Sequence, residues 1–258
     1  MRVTWFGTAC IKLETEGQTL LFDPFLRRYG NAEEKLINVL AQEKNILITH
    51  GHFDHIADMK TIYQNRNDIT VYASETPVKS MERDGISGDS LHRIVPGDTV
   101  SIGDFTVQVL HGRHIIYDDA LKHQVFFSKR IFQHIPELWW MFLHYKKYPE
   151  NGEILFFEIQ CEGKRIQLMG SAGLDDSETY RQHADLLIMA FQGRSDLDTY
   201  ALSLIERLQP KKIMLSHFDD AFPPISSDVD PTRFYQMMKQ KYPNVEIMIP
   251  QLDVSYSL

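Results

Sequence analysis

The 258-residue sequence predicts a layered α/β protein. Three observations carry that expectation. Short β-branched or aromatic runs recur in both halves of the chain, closed by Gly, Pro or Asp turn signals. Stretches with helical periodicity lie between these runs rather than in one block, which favours alternating layers. One apolar run, Ile46-Leu47-Ile48, reads as a buried strand that delivers the chain into a loop crowded with metal-binding side chains.

Taken in order, Val3–Phe6, Cys10–Glu14 and Thr19–Phe22 are strands separated by Gly7-Thr8 and Glu16-Gly17, an antiparallel meander that stops at Asp23-Pro24-Phe25. Glu33–Gln42 reads as a helix with Leu36, Ile37 and Leu40 on one side. After the strand and its loop, Ile56–Tyr63 continues as a helix, Thr70–Ala73 is a strand, and Thr76–Arg83 is a helix with Pro77 in its first turn. Thr99–Ile102 with Phe105–Leu110, and Ile154–Gln160 with Arg165–Met169, form two hairpins around Gly-containing turns. Leu186–Ala190 is a buried strand, Thr199–Leu208 a helix, and Ile213–Leu215 a strand ending at Ser216-His217. Pro231 starts a helix running to about Lys241, and Val245–Ile249 closes the chain. No internal repeat or low-complexity linker stands out, so the whole chain, 1–258, reads as a single domain.

The loop is the informative stretch. Thr49 to Asp58 reads T-H-G-H-F-D-H-I-A-D and places His50, His52, Asp54 and His55 within six residues. His50 and His52, two apart on a loop, can point the same way; Asp54 and His55 follow as the chain turns into a helix and can face a second ion. Imidazole nitrogen and carboxylate oxygen suit zinc, manganese or iron, and no thiolate narrows the choice. A polar turn whose histidines cluster by chance explains a lone histidine better than it explains four ligand types at this spacing.

Bulk properties set the boundaries. A net charge of −8 argues against general nucleic-acid binding, which needs a basic footprint. Cys10 and Cys161 suggest no disulfide framework and fit a reducing cytosol. No signal-peptide core precedes Val3-Thr4-Trp5-Phe6, and no apolar run approaches the ~20 residues of a membrane span. The sequence thus reads as a cytoplasmic protein.

With the cluster placed after a strand, the chain resembles the metallo-β-lactamase superfamily over nearly its whole length. The resemblance implies a four-layer αβ/βα sandwich with metals at one edge between two sheets. Asp23-Pro24-Phe25-Leu26 and the opening meander are similar to the L-ascorbate-6-phosphate lactonase-like branch. The resemblance assigns His50 and His52 to a first metal, and Asp54 and His55 to a second. It adds a histidine after a later strand, for which His114 in Gly112-Arg113-His114 matches better than His111, and a last one, His217. His111 is then left to back a ligand or face substrate, and Asp23 either orients a liganding ring or simply forms the turn before Pro24.

The departure is Ser171. Many members carry an aspartate that bridges both metals after this hairpin, but here the sequence is Gly170-Ser171-Ala172-Gly173. Three readings stay open: two ions without a bridge, as in β-lactamases of the family that lack it; substitution by Asp175, Asp176 or Asp219; or tight binding of one ion only. The balance favours two ions with a weakened second, zinc first, with manganese or iron as alternatives.

Between about 115 and 150 lies an insertion rich in aromatic residues, with five basic residues and one acid (Glu137) from Lys122 to Lys147. A helix starts at Pro136-Glu137, and Leu138–Leu143 is apolar on every side, so it cannot be half solvated in the usual way. It packs on the sandwich or against a second subunit, covers the site, or makes a peripheral membrane contact. A cover of this kind favours a small-molecule substrate with an apolar body and an anionic group.

The chemistry implied is hydrolysis by a metal-bound hydroxide, with Asp54 orienting it, on an ester, lactone or amide. A phosphodiesterase of the same superfamily is the alternative, and a metal-binding protein with little hydrolysis is the alternative from another class.

Overall fold

The computed structural model describes residues 1–26 and 38–258. The opening turns work as their residues require: β1 (Arg2–Gly7), β2 (Cys10–Glu14) and β3 (Thr19–Phe22) pair antiparallel. β4 (Asn45–Leu47), β5 (Thr70–Ala73) and β6 (Leu91–Arg93) then add in parallel. Parallel neighbours need crossovers. These come from α1 (Phe53–Ile56) with α2 (Met59–Asn65), and then from α3 (Glu75–Arg83).

The second half repeats this plan without repeating the residues. β7 (Thr99–Ile102), β8 (Phe105–His111), β9 (Leu155–Cys161) and β10 (Lys164–Met169) are antiparallel. β11 (Leu186–Ala190), β12 (Lys212–Ser216) and β13 (Glu246–Met248) follow in parallel. Three helices, α4 (Asp119–Phe126), α5 (Arg130–Gln133) and α6 (Ile135–Lys147), interrupt the run between β8 and β9. α7 (Leu197–Leu208) and α8 (Thr232–Lys241) make the later crossovers. β14 (Ser255–Ser257) returns to pair with β1, so the described residues form two seven-stranded sheets.

Side-chain alternation separates three apolar layers. Val3, Leu20, Phe22, Val107, Phe157 and Ile188 pack between the sheets. Leu21, Ile46 and Val71, on the opposite face of the first sheet, meet Ile56, Met59, Val78 and Met81 from α1 to α3. Leu187, Met189 and Leu215 on the far face of the second sheet meet Leu204, Ile205 and Phe234. The result is helix, sheet, sheet, helix, a four-layer α/β sandwich.

Several expectations change. The helix over Ile56–Tyr63 is two helices, because the chain breaks at Ala57-Asp58, where the Asp58 carboxylate accepts the Leu26 N–H at 2.7 Å. The helix over Glu33–Gln42 falls mostly outside the described residues, although 38–40 are helical. Val245–Ile249 does not close the chain; β14 does, and its polar residues gave no strand pattern. Nor is α6 wrapped on all sides: Met141 is buried, yet Trp139 is 64% exposed and Phe142 and Leu143 each 49%. Cys10 and Cys161 are free and buried.

Candidate metal centre

The C-terminal ends of β4, β8, β10 and β12 meet at one edge of the sandwich, where strand ends of α/β sheets build sites. Ile48 extends β4 by donating to the Tyr72 carbonyl at 2.9 Å, and Thr49 is the first residue beyond it. Every polar atom of Thr49 is used. Its N–H donates to Asp23 Oδ1 at 2.7 Å, and its carbonyl accepts from Leu155 N–H at 2.8 Å, tying one sheet to the other. Its hydroxyl donates to Asp23 Oδ2 at 2.7 Å and lies 3.1 Å from His50 Nδ1. Asp23 Oδ2 is also 3.0 Å from His55 Nδ1. The arrangement directs the Nδ1–H of His50 to Thr49 and that of His55 to Asp23, leaving Nε2 of both rings with a lone pair. Asp23 takes a left-handed backbone (φ 45°) to do this, a conformation that costs a non-glycine residue ~1–2 kcal/mol.

Two donor groups result. His50, His52 and His114 offer ring nitrogens within 4.8 Å of one another, as do Asp54, His55 and His217 with one atom each. His50 Nε2 and His52 Nδ1 are 3.2 Å apart, and His217 Nε2 is 3.1 Å from Asp54 Oδ2. Those separations suit bonds of about 2.0–2.1 Å to a shared ion. His114 turns its Nδ1 to the Ile115 carbonyl at 2.9 Å, which frees Nε2. His217 also adopts φ 57°, fixed by its N–H on the Thr8 carbonyl at 2.7 Å. The Gly7-Thr8 turn of the first sheet thereby grips the second.

The electrostatics agree with the donor chemistry. Burial, followed by the neighbouring His55, holds His50 well below the usual imidazole range, so its ring is neutral. Burial also leads in lowering His52, to about 4. For Asp54 burial opposes ionisation, but His55 and His217 outweigh it and keep the carboxyl below its ordinary range. Neutral rings at His50 and His52 and an ionised Asp54 are ready to bind a dication. For His55 burial is outweighed by Asp23 and Asp54, which raise it, and an ion would displace its Nε2 proton. The residues present therefore fit two transition-metal ions.

Close packing explains the glycines. A Cβ on Gly51 would lie 2.4 Å from the Pro149 carbonyl oxygen, and one on Gly170 would meet Thr49 Cβ at 2.3 Å. Ser171, next to Gly170, is 7% exposed, and its Oγ accepts the Ile115 N–H at 3.1 Å. It thus fixes the chain just after His114. None of the proposed substitutes joins the donor groups. Asp219 accepts the Thr8 N–H at 2.9 Å, Asp175 caps Ser177, and Asp176 lies 3.3 Å from both Arg113 and Arg207. His111 ends β8, exposed and away from the cavity lining.

A cavity of about 460 Å³ opens over the two groups. Its walls include Tyr117, Leu121, Met141 and Tyr145 from the insertion, with Phe222 and Ile225 opposite. Tyr117 is 41% exposed, and partial burial with Asp54 beside it raises the phenol, so it keeps its proton as a donor. Arg194 also lines the cavity but is occupied, holding Asp196 at 2.6 and 2.9 Å. Sequence reasoning gave no role to Thr49, Tyr117 or Glu150. Glu150 stands 4.0 Å from His52 Nε2, in a turn that reads only as a helix stop. The proximity of Thr49 to the motif was the one signal available.

The sequence profile described as "Beta-lactamase superfamily domain" matches residues 2–217. A UPF0173 metal-dependent hydrolase of Carboxydothermus hydrogenoformans is 26% identical over 233 residues, 89% of each chain. One from Geobacillus is 38% identical over 71 residues, covering 28% of this chain and 30% of that protein. Against this and three further relatives, from Pyrococcus abyssi, Salinibacter ruber and Chelativorans, the chain spans less than two thirds of their length. Among solved structures, a metallo hydrolase of Ignicoccus hospitalis superposes with TM-score 0.69 at 17% identity, covering 100% of this chain and 98% of that one. Zn(2+)-bound PqqB from Methylobacterium extorquens gives 0.64 at 13% identity, covering 100% of both chains. These likenesses show the fold.

Proposed function

The chain belongs to the β-lactamase superfamily, and on that premise we propose that it is a metal-dependent hydrolase of an ester, lactone or amide with an apolar body. The observation that carries the proposal is the pairing of a three-histidine group with an Asp-His-His group on the floor of one cavity. Zinc is the ion the nitrogen-rich set favours. Bound there, a dication lowers the pKa of water towards about 7 and polarises a carbonyl oxygen.

The chain's own residues supply the rest. Asp54, ionised and 3.1 Å from His217, orients the attacking water. Tyr117 stays protonated and donates to oxygen charge developing on the substrate. Asp23 and Thr49 hold the rings of His50 and His55 in place. Leu121, Met141 and Phe222 exclude water from the cavity and receive the apolar body. Arg194 is neutralised by Asp196, so an anionic group on the substrate would fall to Lys129 or Lys146, the basic residues of 122–147 without an acidic partner among the described residues. Two buried free thiols suit a reducing cytosol, and the resemblance of Asp23–Leu26 to the lactonase-like branch supports lactones among the candidate bonds.

Metal analysis of protein purified without chelator, paired with turnover of simple lactones and phosphodiesters, tests this reading. Two equivalents of metal and lactone turnover abolished by chelation are expected. Less than one equivalent counts against the centre, phosphodiester turnover alone moves the activity to the other branch of hydrolases, and metal without turnover makes the chain a metal-binding protein.

A further inference from the structure

The helices between β8 and β9 carry an apolar surface that the cavity does not use. α6 has two apolar stripes. One packs inward through Met141, with Trp140 at 5.5 Å from the Phe53 ring. The other, Ile135, Trp139, Phe142 and Leu143, repeats at i, i+4, i+7 and i+8 and is 49–64% exposed. Phe126, Phe127 and Phe132 on and between α4 and α5 are 74–79% exposed. Exposed apolar surface gathered into one segment marks a contact surface rather than scattered surface residues.

Charge selects the occupant. Lys122, Arg130 and Lys147 are paired with Asp119, Asp220 and Asp84, but Lys129 and Lys146 have no acidic partner among the described residues. The Lys146 ammonium instead lies 4.4 Å from the Phe142 ring centre, its charge at the level of the aromatic stripe. This basic excess sits on a chain of net charge −8. Two copies meeting symmetrically through this face would oppose like charges. An anionic bilayer takes aromatic and aliphatic side chains into its interface and attracts lysines at its surface.

We propose that the α4–α6 face docks on an anionic lipid bilayer and that the metal cavity takes its substrate, an ester or amide bearing a hydrocarbon chain, from that surface. Leu121, Met141 and Tyr145 line the cavity from the same helices, so the docking segment forms one of its walls. Docking stands on the exposed face alone, whereas substrate delivery rests on the hydrolase reading.

The test is co-sedimentation of the metal-loaded full chain with vesicles of phosphatidylcholine alone or doped with phosphatidylglycerol. Binding is expected to the doped vesicles, weakening with added salt. The double variant Phe132→Ala with Trp139→Ala, both outside the cavity, should lower partitioning by about tenfold or more while turnover of a water-soluble ester is unchanged. Binding equal on both vesicle types, no binding, or undiminished binding by the variant overturns the docking face. So does a concentration-dependent dimer that the variant abolishes, which would assign the face to a second copy. Vesicle binding by a chain that hydrolyses nothing supports docking and overturns only the hydrolase reading and delivery.

Discussion

The loop from Thr49 to Asp58 and the helices from Asp119 to Lys147 face each other across one cavity, yet they are held by different forces. Thr49, Asp23, His50 and His55 form a closed hydrogen-bonded set in which each of these buried side chains has a partner. Such a network fixes atoms in one geometry, because any shift strands a buried polar group. The helices are held by one apolar stripe of α6 and a few tethers at their ends: Asp118 to Ser195, Arg130 to Asp220, and Lys147 to Asp84. Apolar contact is non-directional, so it tolerates re-packing. The comparison separates a rigid floor, suited to holding ions, from an adaptable cover, suited to receiving an apolar substrate.

The largest expected effect breaks the floor. His50→Ala with His52→Ala should remove about one metal equivalent and lower kcat/KM by at least about three orders of magnitude. Elemental analysis and turnover read both, and turnover that survives would remove the three-histidine group from the mechanism. The next change breaks the seam between the regions. Phe53 lies within the ligand motif but its ring meets Phe25, Trp140 and Phe222 at 6.0, 5.5 and 5.7 Å. Phe53→Ala should cost about 3–5 kcal/mol in denaturant unfolding. A cost near zero would show that the cover does not lean on the floor.

The two regions also differed in how much their sequence disclosed. The floor was readable because buried strands, turn glycines and short ligand spacings are local signals, and because strand ends must converge in a sheet sandwich. The motif itself placed His50 beside His52 and Asp54 beside His55, whereas His114 and His217 came from the family resemblance, and the structure brings each to its group. Thr49 went unassigned because its role exists only when β3, β4 and β9 are side by side. The split between α1 and α2 depends on Asp58 meeting Leu26, 32 positions away in sequence, and no helical pattern encodes it. β6 and β14 are three residues each and largely polar, too short to alternate visibly. In the cover, α6 was legible from Pro136, but α4 and α5 were not, since their exposed Phe126 and Phe132 follow no inward-facing period. The apolar outer stripe of α6 suggested full burial because sequence gives hydrophobicity and not the neighbour that would cover it.

A smaller change sharpens the description of the floor. Thr49→Val keeps the shape of the side chain but removes the hydroxyl that joins His50 to Asp23. Metal affinity should fall by about 10–100-fold with the fold intact, the usual consequence of losing a partner behind a ligand. Competition with a chromogenic chelator measures it. Unchanged affinity would mean that burial alone orients His50.

The smallest expected effect lies where floor and cover join. Ser171 lines the cavity and accepts the Ile115 N–H, so it holds the first residue of the chain leading into the helices. Gly170 beside it is pressed against Thr49, which leaves the backbone little room to move. An aspartate at 171 can keep that acceptor with one carboxylate oxygen and turn the other toward the two donor groups. Ser171→Asp should therefore slow release of the second ion, raising its affinity by about tenfold, far less than the ~4 kcal/mol that one charge pair contributes at an effective dielectric of about 20. The gain stays modest because the new carboxylate is also buried, and desolvation offsets much of its attraction to the ions. Stepwise chelator titration of the wild type and the variant separates the two ions. If both release their second ion alike, Ser171 belongs to the cover, as the anchor of Ile115, and has no part in the metal floor.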